Sequence, residues 1–305
     1  MMFLTILAAL IPVFLLVGLG GLVRNRLSEN AWTGLDRLNF DILFPALLFS
    51  ATASRPIPLT QVAVIGVSVW ALLFAAMVLA YLCRRWGPDT FIDFAGLWQC
   101  SWRFNTALGL VAAQSLAPAA TALMPIVVGM AVPMANILAV SALSRGNGLG
   151  LFKTIKTVAM NPFFLASFSG VLVGISGTTI PAPIMAPIDL LAAAAIPLAL
   201  LSIGATMDWT ALARLDLFRG LLNTIKLMVM PIMAILISLL FTLSPDHAAA
   251  LIVFAALPTA SAAHVLAAGF GAARRPVATM IAQSTLISAV TLPIWVYIAS
   301  LIGAP

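Results

Sequence analysis

Apolar runs of roughly membrane length follow one another along the whole chain, separated by short polar connections. A bilayer-crossing helix needs ~20 such residues. By that measure the pattern predicts ten spans, at 3–23, 36–53, 61–83, 95–113, 118–143, 157–176, 185–207, 219–241, 248–270 and 277–302. The connections carry their basic residues in alternation. Arg24, Arg26, Arg84, Arg85, Arg145, Lys153, Lys156, Arg214, Arg219, Arg274 and Arg275 fall on one side, and Arg55 alone on the other. Lys and Arg collect on the cytoplasmic side of membrane proteins, so both termini are expected outside a plasma (inner) membrane crossed many times. The N-terminal run has no basic region before it and no small-residue cleavage site, and is expected to stay as the first span. The cytoplasmic connection 144–156, SRGNGLGLFKTIK, has no strand before its glycines, and so predicts a flexible link rather than a phosphate cradle.

Within the ninth span, Pro258 cannot donate to the carbonyl of Phe254 and its ring crowds that turn, so the helix is expected to break there. Non-helical chain at bilayer depth is tolerated where protein or a water-filled cavity satisfies it, and in transporters such breaks mark substrate sites. Thr259, Ser261 and His264 follow the break and suit a cavity wall. The alternative is a plain proline kink, since proline is common in membrane helices.

An internal repeat gives that break a partner. Pro45 and Ser50 of the second span match Pro197 and Ser202 of the seventh at an offset of 152. Similar shifts bring Pro12 near Pro162, Asn105-Thr106 near Pro258-Thr259, and Val132-Pro133 near Leu292-Pro293. Five spans repeated once must reappear upside down, because an odd number of crossings inverts the copy. The expected organisation is a first repeat at 1–143, a linker at 144–156 and an inverted second repeat at 157–305, the plan of secondary transporters.

The repeat points to the fourth span. Arg103 lies roughly 13 Å from its cytoplasmic end at 1.5 Å per residue, near mid-bilayer, where a charge costs about 2.5–3.5 kcal/mol on insertion scales. Such a residue faces the bundle interior or a pathway. A continuous helix would put Gln99, Arg103 and Thr106 on one face, with Asn105 and Gly109 on the next. Arg103 is a candidate substrate ligand; the structural alternative is a buried pair with Asp41 of the second span. Lys226, near a helix end, reads as snorkelling.

Composition fixes the solvent. With 63% hydrophobic and 8% charged residues, and a mean hydropathy of +1.14, the chain belongs in a membrane. The net charge of +6 is scattered over loops, which excludes a nucleic-acid face. Cys83 and Cys100 have no metal-site spacing and read as packing residues; no metal or cofactor is expected. An intramembrane serine protease built on Ser176 and His264 would use a serine in a Gly-rich packing stretch, Gly170 to Gly177. A cation/proton antiporter would need carboxylates at the break, and a prenyl-transfer enzyme would need more acid than Asp89 and Asp93. For coupling, H+ or Na+ both stay open. His264 is either a proton carrier or a neutral, hydrogen-bonded wall residue.

The stretches NFDILFPALLF, RFNTALGL, VPMANILAV, NPFFLASFSGVLVG, IPLALLSIGA, ALPTASAAHVLA and TLPIWVYI resemble, in order and spacing, the auxin efflux carrier family, bacterial branch. That family belongs with bile acid/sodium symporter-like transporters. The resemblance implies an all-α integral membrane fold of ten helices in two inverted halves, with helices 4 and 9 broken and crossing at mid-membrane. It further implies a scaffold of helices 1, 2, 6 and 7, an elevator-like transport domain of helices 3–5 and 8–10, and a homodimer through the scaffold. The substrates it implies are small organic anions such as auxin, malonate and other carboxylates. By position, Asn105, Thr106, Asn136, Pro258 and Thr259 would line the site. Many members carry a proline after the helix 4 asparagine. This chain reads NTALGLVAA, so the break there is expected to rest on Gly109 or to be milder.

Overall fold

The computed structural model describes residues 2–53, 59–146, 150–160, 162–206, 210, 216–260 and 262–303. Among these residues every regular element is helical. In chain order they are α1 (Met2–Val23), α2 (Glu29–Leu38), α3 (Phe44–Ala53), α4 (Leu59–Leu82), α5 (Phe91–Trp98), α6 (Thr106–Ala113), α7 (Pro118–Gly146) and α8 (Leu151–Ala159). Then follow α9 (Pro162–Ser176), α10 (Ala182–Thr206), α11 (Leu217–Thr224), α12 (Met230–Leu240), α13 (Pro245–Ala256), α14 (Ala262–Gly269) and α15 (Arg274–Ile302). Among the described residues, five stretches are long and apolar enough to cross a membrane: Val62–Leu82, Pro118–Gly146, Ala182–Ser202, Leu217–Leu240 and Arg275–Ile302. The protein is therefore a helical, multi-pass membrane protein. Arg55, Arg214 and the middle of the expected linker lie outside the described residues.

Polar caps start two helices earlier than hydropathy alone placed them. Ser28 accepts from the Ala31 N–H at 3.2 Å, so α2 begins in the polar stretch ahead of the predicted second span. Asp216 does the same for α11, accepting from the Arg219 N–H at 2.8 Å. The linker differs from expectation: Leu151–Ala159 is a helix, with Lys153 and Lys156 at two of its positions and Phe152 and Ile155 exposed. Its alternation of apolar and basic residues at helical spacing explains why it folds.

Two helices are each built with a π turn. Asn39–Leu43 joins α2 to α3, and Ile225–Val229 joins α11 to α12. A π turn inserts one residue and rotates everything after it, so the side chains on either side face differently than an unbroken helix would place them.

Packing is closest where α1 meets α10 and α3 meets α9. A Cβ on Gly20 would overlap the Leu201 carbonyl, and one on Gly170 would overlap Phe49 backbone and the Thr52 side chain. Two hydrogen bonds tie α10 to the neighbouring α2 and α3: the Ser202 hydroxyl of α10 donates to Asp36 of α2, and the Ser50 hydroxyl of α3 donates to Asp189 of α10. α13 is buried from Ala248 to Ala256 and packs against α7, α12 and α15, so it is a core helix rather than a lipid-facing one.

Candidate functional site

The predicted fourth span does not run through. After α5 come a single tight turn at Gln99–Ser101 and an irregular stretch, and Asn105 then starts α6 by accepting from the Leu108 N–H at 3.1 Å. Asn105, in extended conformation, ends the break; the expectation that it would rest on Gly109 is wrong. Gly109 sits inside α6, where a Cβ would press on the Leu257 side chain at 2.7 Å, so it admits the facing chain. With no continuous helix, Gln99, Arg103 and Thr106 do not share a face. The Gln99 Nε2 instead donates to the Ala263 carbonyl at 3.2 Å.

The second break follows α13. The chain leaves the helix at Leu257, Pro258 supplies no N–H, and α14 resumes at Ala262. The freed backbone groups are taken up one by one, as apolar surroundings require. The Pro258 carbonyl accepts from the Asn105 N–H at 2.8 Å, joining the two breaks directly. The Thr259 N–H donates to Ser284 Oγ at 3.1 Å, and its hydroxyl donates to the Cys100 carbonyl at 2.7 Å. The Lys226 ammonium donates to the Ala255 carbonyl at 3.1 Å. Lys226 is completely buried, so the snorkelling reading is wrong: its Nζ is held at the carbonyl end of α13, where the helix dipole is negative.

Arg103 lies in the first break and is 6% exposed. Its Nη2 donates to the Asn136 Oδ1 of α7 at 2.6 Å, while its Nε has no protein partner among the described residues. The structural alternative, a pair with Asp41, does not form. Asp41 lies in the π turn on an exposed face and pairs with Arg37 at 3.4 Å. The rotation imposed by the π turn takes it away from the interior.

Where the breaks meet there is a cavity of about 750 Å³, counting its open mouth. Arg103, Phe104, Asn105 and Thr106 line it from the first break, and Ala260 and Ala262 from the second. Val132, Ala135 and Asn136 come from α7, Ala199 from α10, and Asp36, Asn39, Phe40 and Phe44 from the α2–α3 element. The wall is thus mostly apolar, with a guanidinium, amides, the Thr106 hydroxyl and the Asp36 carboxyl set into it, the usual make-up of a small-molecule site. α6 and α14 both begin at the breaks, so their positive ends are close to this space.

Of the residues singled out from sequence, Arg103, Asn105, Thr106 and Asn136 line the cavity. Pro258 and Thr259 do not; they hold the second break in place behind it. His264 is half-buried on α14 and away from the lining, and Ser261 lies outside the described residues. Asn39 and Asp36 were missed. Asn39 stood in a motif without a role, and Asp36, the first residue of the predicted second span, carried no signal of its own. Elsewhere, the Ser176 hydroxyl donates to the Val173 carbonyl at 2.8 Å, and Asp93 accepts from the Ala273 N–H at 2.7 Å. The first is a local turn and the second joins α5 to the residue before α15; neither belongs to the cavity.

Two comparisons bear on this arrangement. The family described as "Membrane transport protein" matches residues 149–296, the second half of the chain. A protein named "Putative malonate transporter", from Rhizobium meliloti (strain 1021), is 28% identical over 296 residues, covering 92% of each chain. The resemblance read from the sequence is therefore met by a family match over one half and by a similar transporter over nearly the whole.

Proposed function

We infer, from the premise that this chain belongs with the membrane transport proteins its second half matches, that it is a secondary transporter of a small organic anion. A short carboxylate such as malonate is the substrate favoured by the similar protein's name and by the cavity. The observation that carries the reading is Arg103: a buried guanidinium in a cavity wall, with an Nε that has no hydrogen-bond partner and no carboxylate paired to it among the described residues. A buried charge without its counter-ion is costly, and an entering carboxylate supplies both the charge and the hydrogen bond. The positive ends of α6 and α14 favour the same sign.

The finer plan follows from the same premise. The inverted repeat is supported by contacts that exchange under the sequence offset. Ser50–Asp189 becomes Ser202–Asp36, and Gly20 on Leu201 becomes Gly170 on Phe49. The cavity lies between the α2–α3 and α10 elements on one side and the two breaks with α7 on the other. A site on that seam suits an elevator, in which one group of helices carries the substrate past a static group. Both termini face outward in this reading, because the basic connections alternate.

Ligand-induced stabilisation tests the reading on purified protein. At 100 times its Kd a ligand adds about 2.7 kcal/mol, which a thermal melt resolves. Malonate should raise the Tm of the wild type in proportion to the logarithm of its concentration. Arg103→Lys should keep part of the effect and Arg103→Ala almost none, since only arginine offers a planar fork to a carboxylate. An equal shift in Arg103→Ala would place the anion elsewhere.

A further inference from the structure

The α2–α3 element presents one more group to the cavity. Asn39 is 3% exposed and lines the cavity, yet neither its Oδ1 nor its Nδ2 has a hydrogen-bond partner among the described residues. An amide can offer two donors and accept through its oxygen. Left unpaired in a buried place it costs on the order of 1–3 kcal/mol, which packing alone does not explain. Its neighbours are engaged elsewhere: Asp36, one turn back, is taken by Ser202, and Asp41 by Arg37 on the outer face. The π turn begins at Asn39, whose carbonyl accepts from the Phe44 N–H, and Phe40 and Phe44 line the cavity with it. The local backbone departure therefore goes with an amide that lines the same cavity as two aromatic side chains and Arg103.

We propose that Asn39 is a substrate-contacting, specificity-determining residue. It binds the second oxygen-bearing group of a short bifunctional carboxylate whose first carboxylate is held by Arg103. This rests on the anion-transport reading and narrows it. The substrate class is a dicarboxylate or its half-amide rather than a simple fatty acid. A carboxamide has the right groups for both, because Nδ2–H donates to a carboxylate oxygen and Oδ1 accepts from a neutral amide or acid. A second cation would hold a dianion more tightly but would reject the neutral group. The two ends of the cavity differ in chemistry, so the ligand binds in one orientation. A site built to hydrogen-bond a polar group discriminates strongly against an analogue lacking it, because the site's own polar atoms are then left unpaired.

Isothermal titration of the full-length protein in detergent micelles, with three probes, decides the matter. Malonate has two carboxylates, malonamate replaces one with an amide, and isovalerate replaces it with an isopropyl group of the same shape. Wild type should bind malonate and malonamate at least ten-fold more tightly than isovalerate. Asn39→Leu, similar in volume, should weaken the first two ten-fold or more and leave isovalerate unchanged, erasing the discrimination. If Asn39→Leu fails to fold, Asn39→Ala replaces it, with the same loss expected. Full discrimination in a folded Asn39 variant, with malonate binding lost in Arg103→Ala, would overturn the Asn39 assignment while leaving the anion reading standing. If the wild type binds none of the three, the carboxylate reading falls and takes the assignment with it.

Discussion

Asn105 and Pro258 are 153 positions apart in sequence and meet through one hydrogen bond, the Asn105 N–H to the Pro258 carbonyl at 2.8 Å. Each also shapes its own strand of the junction: Asn105 caps α6, and Pro258 withholds the N–H that would have continued α13. Asn105→Ala removes the cap, at a cost of about 0.5–2 kcal/mol, and loosens the chain beside Arg103. Pro258→Ala lets α13 extend, which moves the carbonyl that Asn105 holds. The two effects on malonate affinity, read in a double-mutant cycle, should therefore be non-additive by at least ~0.5 kcal/mol. Additive losses would mean that the breaks do not act as one junction. Single residues were legible only in part. Arg103 announced itself because a mid-span charge has few uses, and Pro258 because a missing N–H is a local fact. Lys226 deceived: its position in sequence could not reveal that a carbonyl freed 29 residues away would claim its ammonium.

At the level of elements, hydropathy placed the helices well but could not place their interruptions. The π turns at Asn39–Leu43 and Ile225–Val229 carry no proline or glycine themselves, but each is followed within two residues by a proline, Pro45 and Pro231, whose ring crowds the carbonyl four positions back, that of Asp41 or Leu227, and favours the wider turn. The first of these turned Asp41 outward and left Asn39 on the cavity, which is why the alternative Asp41–Arg103 pair failed and Asn39 went unassigned. α8 is a related case. Its glycine-rich approach read as a flexible link, while the Leu151–Ala159 segment itself carries a helical alternation. With Phe152 and Ile155 exposed beside two lysines, it suits the cytoplasmic membrane interface. The α9–α10 and α12–α13 connections should lie on the opposite side. In sealed, right-side-out cells an impermeant thiol reagent should label Thr178→Cys and Leu243→Cys and spare Phe152→Cys. Labelling of Phe152→Cys would invert or break the topology.

Across the whole molecule, the proposed repeat is legible because proline and serine recur in order, at offsets from 150 (Pro12 to Pro162) to 160 (Pro133 to Pro293). The contacts Ser50–Asp189 and Ser202–Asp36 express that recurrence in space. The cavity was less readable, since its walls come from residues between 36 and 262, brought together only by folding. Sequence reasoning found the wall formed by the first break and Asn136 of α7, and missed Ala260 and Ala262 of the second break and the wall contributed by the α2–α3 element. The central claim is that this cavity carries a small anion across the membrane, and counterflow measures that directly. Purified protein is placed in liposomes loaded with unlabelled malonate, and labelled malonate is added outside. The wild type should accumulate label transiently above protein-free liposomes, and Arg103→Ala, folded and inserted, should not. Accumulation no greater than in protein-free liposomes, or equal accumulation with Arg103→Ala, would contradict that claim.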